Sequence, residues 1–291
     1  MRSCATRRRW SFENDGEWNL IQENRLKAAL TDLEAHFTAY WAAAFDARQE
    51  GTIALVAPAS YCIQLDGTRL VIDPIFRFPW QQEAVKDRWQ RDLAAADGVL
   101  YTHSHGDHYR PEIARAALDG GARVWLPDFL PQAGEEGFRT VKEGETFNIG
   151  RLRITAYKSA HFSPDGKTGV PSFGYIIESS RGTMLFPCDV RDYDPAKLPK
   201  VHADTVFAHV WLGRGNALNW PCEQYLTDFA RFVLLSGPSR IYLAHLYEVG
   251  RVPKELWTYA HAGLCMDAIA AQDPTVELDV MRPGRVYPIF G

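Results

Sequence analysis

The stretch that most constrains this chain is residues 103–108, HSHGDH, which places three histidines and an aspartate within six positions. It follows a short apolar run that is typical of the end of a buried strand. Because residues two apart on a strand share a face, we expect His103 and His105 to point the same way. The glycine that follows permits a turn, which carries Asp107 and His108 to a neighbouring position. The pattern predicts two adjacent half-sites whose imidazole and carboxylate groups suit zinc, iron or manganese.

Composition and charge define the broad class of protein. The chain has 291 residues, of which 46% are hydrophobic and 23% are charged, as in an ordinary globular protein. Its length allows one large α/β domain or two small ones. A net charge of −4 gives no support to a general nucleic-acid binder, so we expect no nucleic-acid partner.

Cysteine usage and hydropathy indicate the compartment. The five cysteines are scattered and form no Cys-x-x-Cys pair, which argues against a disulfide framework and a thiolate zinc site. We therefore expect a reducing, cytoplasmic location. The basic residues 7–9 are followed by polar residues, so we expect no export signal. No run approaches the ~20 apolar residues of a membrane span.

Residues 17–49 are predicted to form helical structure. Apolar residues such as Trp41 and Phe45 recur there at steps of three and four, and Gly51 ends the pattern. We therefore divide the chain into an N-terminal helical extension, residues 1–50, and a main domain, residues 51–291. Burial against the main domain explains the aromatic stripe of the extension, and a homodimer surface or the roof of a binding site are the alternatives.

From residue 52 the apolar period changes to that of strands. The predicted strands are 53–56, 61–65, 70–72, 99–100, 124–126, 138–141, 145–149, 151–157, 174–178, 183–186, 205–210, 241–244 and 276–280. The predicted helices are 84–96, 111–118, 222–235 and 256–271. We expect strands 138–141 and 145–149 to form a hairpin, and the aromatic loop 76–80 to line a site or to pack on the N-terminal helices.

Single histidine and aspartate residues follow several of the later strands. They are His161, Asp189 and His245. In layered α/β folds, sites gather where strand ends meet, so we expect these residues to join the 103–108 motif. Each residue alone is weak evidence, because single histidines and aspartates are often surface or core residues. The combination and its order carry the prediction.

This ordered set resembles the metallo-β-lactamase superfamily, and the resemblance covers about residues 51–290. It implies an α/β fold, a four-layer αβ/βα sandwich of two mixed sheets with outer helices. The predicted strands fall into two half-sets, around 52–150 and 151–285, which is compatible with that fold. Short cues at residues 71–74, VIDP, and 283–284, PG, resemble the branch that includes ascorbate-phosphate lactonase and N-acylphosphatidylethanolamine phospholipase D.

The resemblance implies two divalent metal ions as cofactors, with zinc first and manganese or iron as alternatives. Their ligands would be His103, His105 and His161 on one ion, Asp107, His108 and His245 on the other, and Asp189 between the two. True β-lactamases have a cysteine in place of that aspartate. Cys188 is next to Asp189, but neighbours on a strand point to opposite faces, so we expect Cys188 to pack in the core.

The implied function is a metal-dependent hydrolase in which a hydroxide shared by the metals attacks a phosphoester, phosphodiester or lactone. The substrate would be a small anionic molecule. A mononuclear-iron sulfur dioxygenase or a thioesterase of the same fold is one alternative, and a non-catalytic binding protein is another. The complete second half-site favours hydrolysis.

Further roles follow for residues near the implied ligands. Asp107 could accept or orient the proton of the attacking water, Asp189 could fix the spacing of the metals, and His209 could donate a proton to the leaving group. Asp73 and Thr102 are candidates to hold the outer nitrogens of ligand histidines.

Substrate contacts are expected from the same rim of loops. The candidates are Arg214, Asn216, Tyr109 and Tyr247, with Trp211 as a further wall and Lys158 and Arg191 as weaker candidates. Arginine suits a phosphate or a carboxylate. Packing or a surface ion pair is the alternative for each of these residues.

Overall fold

The structure, a computed structural model, describes residues 24, 28, 36, 38–46, 49–75, 83–218, 223–248 and 251–291. Within these residues the strands form two seven-stranded sheets. With strands numbered in chain order, the first sheet is β14 (Val286–Pro288), β1 (Thr52–Ala57), β2 (Ser60–Leu65), β3 (Thr68–Ile72), β4 (Gly98–Leu100), β5 (Val124–Pro127) and β6 (Arg139–Val141). The second is β13 (Glu277–Val280), β12 (Arg240–Ala244), β11 (Thr205–His209), β10 (Gly182–Cys188), β9 (Phe173–Ser179), β8 (Leu152–Lys158) and β7 (Thr146–Ile149).

Both sheets are mixed. In the first sheet, β14, β1, β2 and β3 pair antiparallel, and β3, β4, β5 and β6 pair parallel. In the second, β7 to β10 pair antiparallel and β10 to β13 pair parallel. The helices are α1 (Glu83–Ala94), α2 (Pro111–Asp119), α3 (Glu223–Leu234) and α4 (Tyr259–Gln272). Short 3₁₀ turns lie at Pro195–Lys197 and Pro253–Glu255.

Three apolar clusters define the layers. The central one lies between the sheets and includes Ile53, on a strand that is buried throughout, and Ile154, which alternates with more exposed residues along β8. A second cluster joins the outer face of the first sheet to α1 and α2, through residues such as Trp89. A third joins the second sheet to α3 and α4, through residues such as Phe229. This order confirms the predicted four-layer αβ/βα sandwich.

Residues 38–46 are helical, as predicted for this part of the N-terminal extension. Trp41 is buried in the cluster on the first sheet, and its indole donates a hydrogen bond to Asp92 of α1 at 2.7 Å. The guanidinium of Arg88 donates to Asp46 at 2.8 Å. Most of the predicted helix at 17–49 and the loop at 76–80 lie outside the described residues, so the division at residue 50 stays a prediction.

The predicted hairpin of strands 138–141 and 145–149 is wrong. β6 pairs parallel with β5, through Trp125 and Arg139, whereas β7 pairs antiparallel with β8 in the other sheet. The four residues between them carry the chain from one sheet to the other. Both strands are short, and a local pattern does not distinguish a hairpin turn from this crossing.

The segment after Pro283-Gly284 was not predicted as a strand, yet β14 returns to the first sheet. It pairs antiparallel with β1, from Thr52↔Pro288 to Ala54↔Val286. Its three residues are too few to show a period. Among the described helices, none has the length and apolar character needed to cross a membrane.

The aromatic centre of the core gives a stability prediction. Phe207 is fully buried between the rings of Phe186, at 4.5 Å, and Tyr242, at 5.3 Å. We expect Phe207→Ala to lower the free energy of unfolding by about 3–5 kcal/mol, because it removes both stacked contacts and leaves a cavity. Urea unfolding measures this. The control Leu235→Ala, at a side chain 45% exposed, should stay within about 0.5 kcal/mol; an equal loss in both variants would contradict the assignment of the core.

Candidate metal centre

The seven predicted ligand residues lie where strands leave the sheets. The 103–108 motif follows β4, His161 follows β8, Asp189 follows β10 and His245 follows β12. At Asp189 and His245 the chain leaves its strand through a left-handed residue, because φ is +62° at Cys188 and +65° at His245. Such angles are uncommon outside glycine, and here they turn the backbone at the edge of the sheet.

The motif itself is a turn and not part of a strand. β4 ends at Leu100, and His103 is held only by an isolated bridge to Ser172. The alternation argument for His103 and His105 is therefore wrong, because both lie beyond the strand. The amide groups of His108 and Tyr109 donate to the carbonyl of His105, at 2.9 and 2.8 Å, and this turn brings the motif together.

The first ligand group comprises His103, His105, His161 and Asp189. Nδ1 of His105 lies 3.2 Å from Nε2 of His103 and 3.2 Å from Nε2 of His161. Oδ2 of Asp189 is 3.8 Å from Nε2 of His103. The four candidate ligand atoms lie within 4.8 Å of one another, which suits a single metal ion.

The second group comprises Asp107, His108, His245 and again Asp189. Nε2 of His245 lies 3.1 Å from Nε2 of His108 and 3.1 Å from Oδ2 of Asp107. Oδ1 of Asp189 is 3.5 Å from His108 and 3.6 Å from His245. Asp189 thus turns one oxygen to each group.

Asp73 and Thr102 contact the outer nitrogens of two histidines. The amide and hydroxyl of Thr102 donate to the two oxygens of Asp73, at 2.8 and 2.6 Å. Nδ1 of His108 lies 2.8 Å from Asp73, and the hydroxyl of Thr102 lies 3.0 Å from Nδ1 of His103. Such contacts fix the orientation of each ring and leave Nε2 facing inward.

His209 is engaged on both sides of its ring. Nδ1 lies 2.7 Å from Oδ1 of Asp189, and Nε2 lies 2.7 Å from the hydroxyl of Tyr61. The ring also stacks on His245 with centroids 4.6 Å apart. The predicted role of His209 as a proton donor to the leaving group is contradicted, because neither nitrogen is free to face a substrate. His209 instead orients Asp189.

The surroundings set the charge of the imidazoles. Burial lowers the pKa of His105 to about 4, that of His161 to about 3 and that of His209 to about 4. These rings are therefore neutral near pH 7, which is the form that binds metals. Burial lowers the pKa of His108 as well, but the carboxylates around it, Asp189 first, outweigh burial and raise it to about 9.

Cys188 is buried in the core, as predicted. Its Sγ lies 3.6 Å from Nδ1 of His103, the outer nitrogen of that ring, and Cys188, His103 and His108 form a further close group. The strand register shifts between Leu185 and Cys188, and the backbone of Cys188 is left-handed.

Two of the predicted substrate residues, Trp211 and Arg191, line the cleft that borders the metal residues, whereas Tyr109, Asn216, Arg214 and Tyr247 do not. Tyr109 is buried in the outer cluster of the first sheet and donates to Gln132 at 2.9 Å, which contradicts its prediction as a wall of a substrate site. Asn216 donates to Leu212 within its own loop at 3.0 Å. The side chain of Arg214 is 73% exposed, and Tyr247 packs on Tyr259.

The cleft beside Asp189, His209 and His245 is small, with a volume of about 10 Å³. Besides those three, its described lining includes Arg191, Trp211, Glu248, Arg251, Glu255 and Trp257. Glu248 lies 3.7 Å from Nε2 of His245 and forms an ion pair with Arg251. Burial, with Asp107 beside it, raises the pKa of Glu248. Sequence reasoning missed Glu248 and Arg251, which follow His245 in an irregular segment without any motif.

Comparisons with known proteins agree with this geometry. Residues 68–245 match the family described as the beta-lactamase superfamily domain. A UPF0173 metal-dependent hydrolase from Methanopyrus kandleri is 27% identical over 139 residues, which are 45% of this chain and 58% of that protein. The chain therefore spans little more than half the length of this curated relative.

Solved structures share the fold. Igni18, a metallo hydrolase from Ignicoccus hospitalis, has a TM-score of 0.55 and 18% identity, over 81% of this chain and 97% of that one. CmlA, a diiron β-hydroxylase from Streptomyces venezuelae, has a TM-score of 0.56 and 19% identity, over 82% of this chain and 54% of that one. At these identities the likeness concerns the fold alone. Since the family match covers more than half of the chain and contains every candidate ligand, this chain belongs to the beta-lactamase superfamily, with the metallo-β-lactamase fold.

Proposed function

We propose that the protein is a metal-dependent hydrolase that cleaves a phosphoester, phosphodiester or lactone bond in a small anionic molecule. The observation that carries this proposal is the pair of ligand groups that share Asp189, whose two oxygens face them separately. The name of the Methanopyrus kandleri relative, a metal-dependent hydrolase, supports it. The resemblance of residues 71–74 and 283–284 to the lactonase and phosphodiesterase branch supports the type of bond.

The donor set fits divalent metals. Imidazoles with carboxylates suit zinc first, and manganese or iron as alternatives. The residues that would hold one ion are His103, His105 and His161, those for the other are Asp107, His108 and His245, and Asp189 would serve both. When bound, such ions activate water and polarise the bond that is attacked.

The side chains of the protein then position the reacting groups. Asp107 contacts His245 from the open side of the second group, where it is placed to orient a water or take its proton. His209 holds Asp189 in place, and Tyr61 in turn holds His209. Arg251 forms an ion pair with Glu248. The negative charge of Glu248 is therefore compensated and does not repel an anionic substrate.

The shared carboxylate gives a prediction on metal content. We expect the zinc-loaded protein to carry about two ions per chain, and Asp189→Ala to retain fewer than about one, since both groups lose a ligand. Elemental analysis after gel filtration measures this. The control His202→Ala, at a side chain 70% exposed, should keep the wild-type content. Unchanged metal content and activity in Asp189→Ala would rule out its role between the metals.

The reaction is tested with protein reconstituted separately with zinc, manganese and iron. The assay follows hydrolysis of bis(p-nitrophenyl) phosphate beside a panel of small lactones. We expect turnover of one substrate class, and a loss of at least about a thousandfold in His103→Ala, because one ligand group is broken. Oxygen uptake with a persulfide, in place of hydrolysis, would support the dioxygenase alternative and contradict the proposal.

Tyr61 is expected to act on the centre indirectly, through His209 and Asp189. Tyr61→Phe removes the hydroxyl that holds His209, and we expect kcat to fall about 10-fold or more, because Asp189 loses its fixed orientation. The matched control is Tyr242→Phe, since that hydroxyl also makes a hydrogen bond, at 2.5 Å, but to the carbonyl of Pro288 on β14 and not to a residue of the ligand groups. Equal losses of kcat in the two variants would indicate a general effect on folding and would contradict the role of Tyr61.

A further inference from the structure

Arg191 is a half-buried cation beside the metal residues, two positions after Asp189. Its backbone amide donates to the carbonyl of Ala160 at 2.8 Å. Its Nε is buried and has no hydrogen-bond partner, and its side chain forms no ion pair with any residue in the described part of the chain. Arg191 lines the small cleft together with Asp189, His209 and His245.

The carboxylates that line the same cleft are already engaged. Glu248 is paired with Arg251. Glu255 accepts the amide of Gly215 at 2.8 Å and lies 3.9 Å from Arg214. A buried guanidinium nitrogen without a hydrogen-bond partner is costly, so the unpartnered Nε of Arg191 points to an anion that binds there.

Arg191 borders two spaces of very different size. The cleft on the side of the metal residues has a volume of only about 10 Å³, which admits little more than one water. On its other side lies a cavity of about 470 Å³ whose lining includes Tyr193, Tyr225, Asp228 and Arg231. Of the two spaces that Arg191 lines, the larger cavity is the one with room for the body of a substrate, and Arg191 lies between it and the cleft beside the ligand groups.

We propose that Arg191 binds an oxyanion of the substrate, a phosphate or a carboxylate, while the body of the substrate occupies the cavity lined by Tyr193 and Tyr225. The planar guanidinium matches both kinds of oxyanion. Because tyrosines, carboxylates and a second arginine line this cavity, it suits a polar body better than a long acyl chain. This inference rests on the proposed function, since it names the class of substrate for the same centre.

The test measures binding of inorganic phosphate to the zinc-loaded full chain by isothermal titration calorimetry. We expect Arg191→Gln to weaken phosphate binding about 10-fold or more and Arg191→Lys to keep most of the affinity, because lysine retains the charge. The matched control is Arg153→Gln, which removes the same charge from a side chain 57% exposed on β8. It should change the affinity by less than about twofold. Acetate, titrated in parallel, distinguishes a carboxylate from a phosphate as the preferred anion.

Zinc content, measured on each variant, shows that the ligand groups are intact. Should Arg191→Gln lose zinc, Arg191→Met serves in its place, since it keeps the aliphatic stem. Absence of phosphate and acetate binding in the wild type, unchanged affinity in the Arg191 variants, or an equal loss in Arg153→Gln would each overturn the inference. Failure of the proposed function would give a different result, since the wild type would then hydrolyse neither the phosphodiester nor the lactones. The phosphate affinities of the wild type and the Arg191 variants would still test the role of Arg191.

Discussion

The carboxylate of Asp189 is buried between two groups of imidazoles. The strands of the second sheet are aligned so that two histidines lie beside this carboxylate. An isolated carboxylate in such a place would cost several kcal/mol, and the contact with His209 at 2.7 Å offsets part of that cost. Strand register brings the partners together. Cys188 pairs with Ala208, and His209 pairs with Ala244, so Asp189, His209 and His245 stand at three adjacent strand ends.

The first sheet supplies the other half of the centre by the same means. Ile72 pairs with Leu100, and the amide of Asp73 donates to the carbonyl of Leu100 at 2.9 Å, which sets Asp73 beside the start of the 103–108 motif. Tyr61, on β2, reaches across the inter-sheet core to His209 on β11. The two sheets are therefore joined at the centre by a hydrogen bond between side chains as well as by apolar packing.

Much of this arrangement could be predicted because it depends on local sequence patterns. Period-two patterns gave most of the strands, and the histidines and aspartates that follow strands mark the edge where the sheets open. Partner choice is not local, so the crossing between β6 and β7 and the pairing of β14 escaped prediction. Backbone bends escaped prediction too, such as the positive φ of Cys188 and of His245 where the chain leaves its strands. Glu248 and Arg251 line the cleft from an irregular segment. In such a segment no repeating pattern of apolar residues predicts which way a side chain points.

The pairing of β14 with β1 has a consequence for how the chain matures. Thr52 and Pro288 face each other in the register of the two strands although they are separated by almost the whole length of the domain. A ribosome that has made the first half of the protein has released β1 with one edge still bare, and exposed edges invite wrong pairings. The first sheet can be sealed only after residues 286–288 emerge. Long-range closure of this kind is slow, so the bare edge of β1 persists until the last strand has been made.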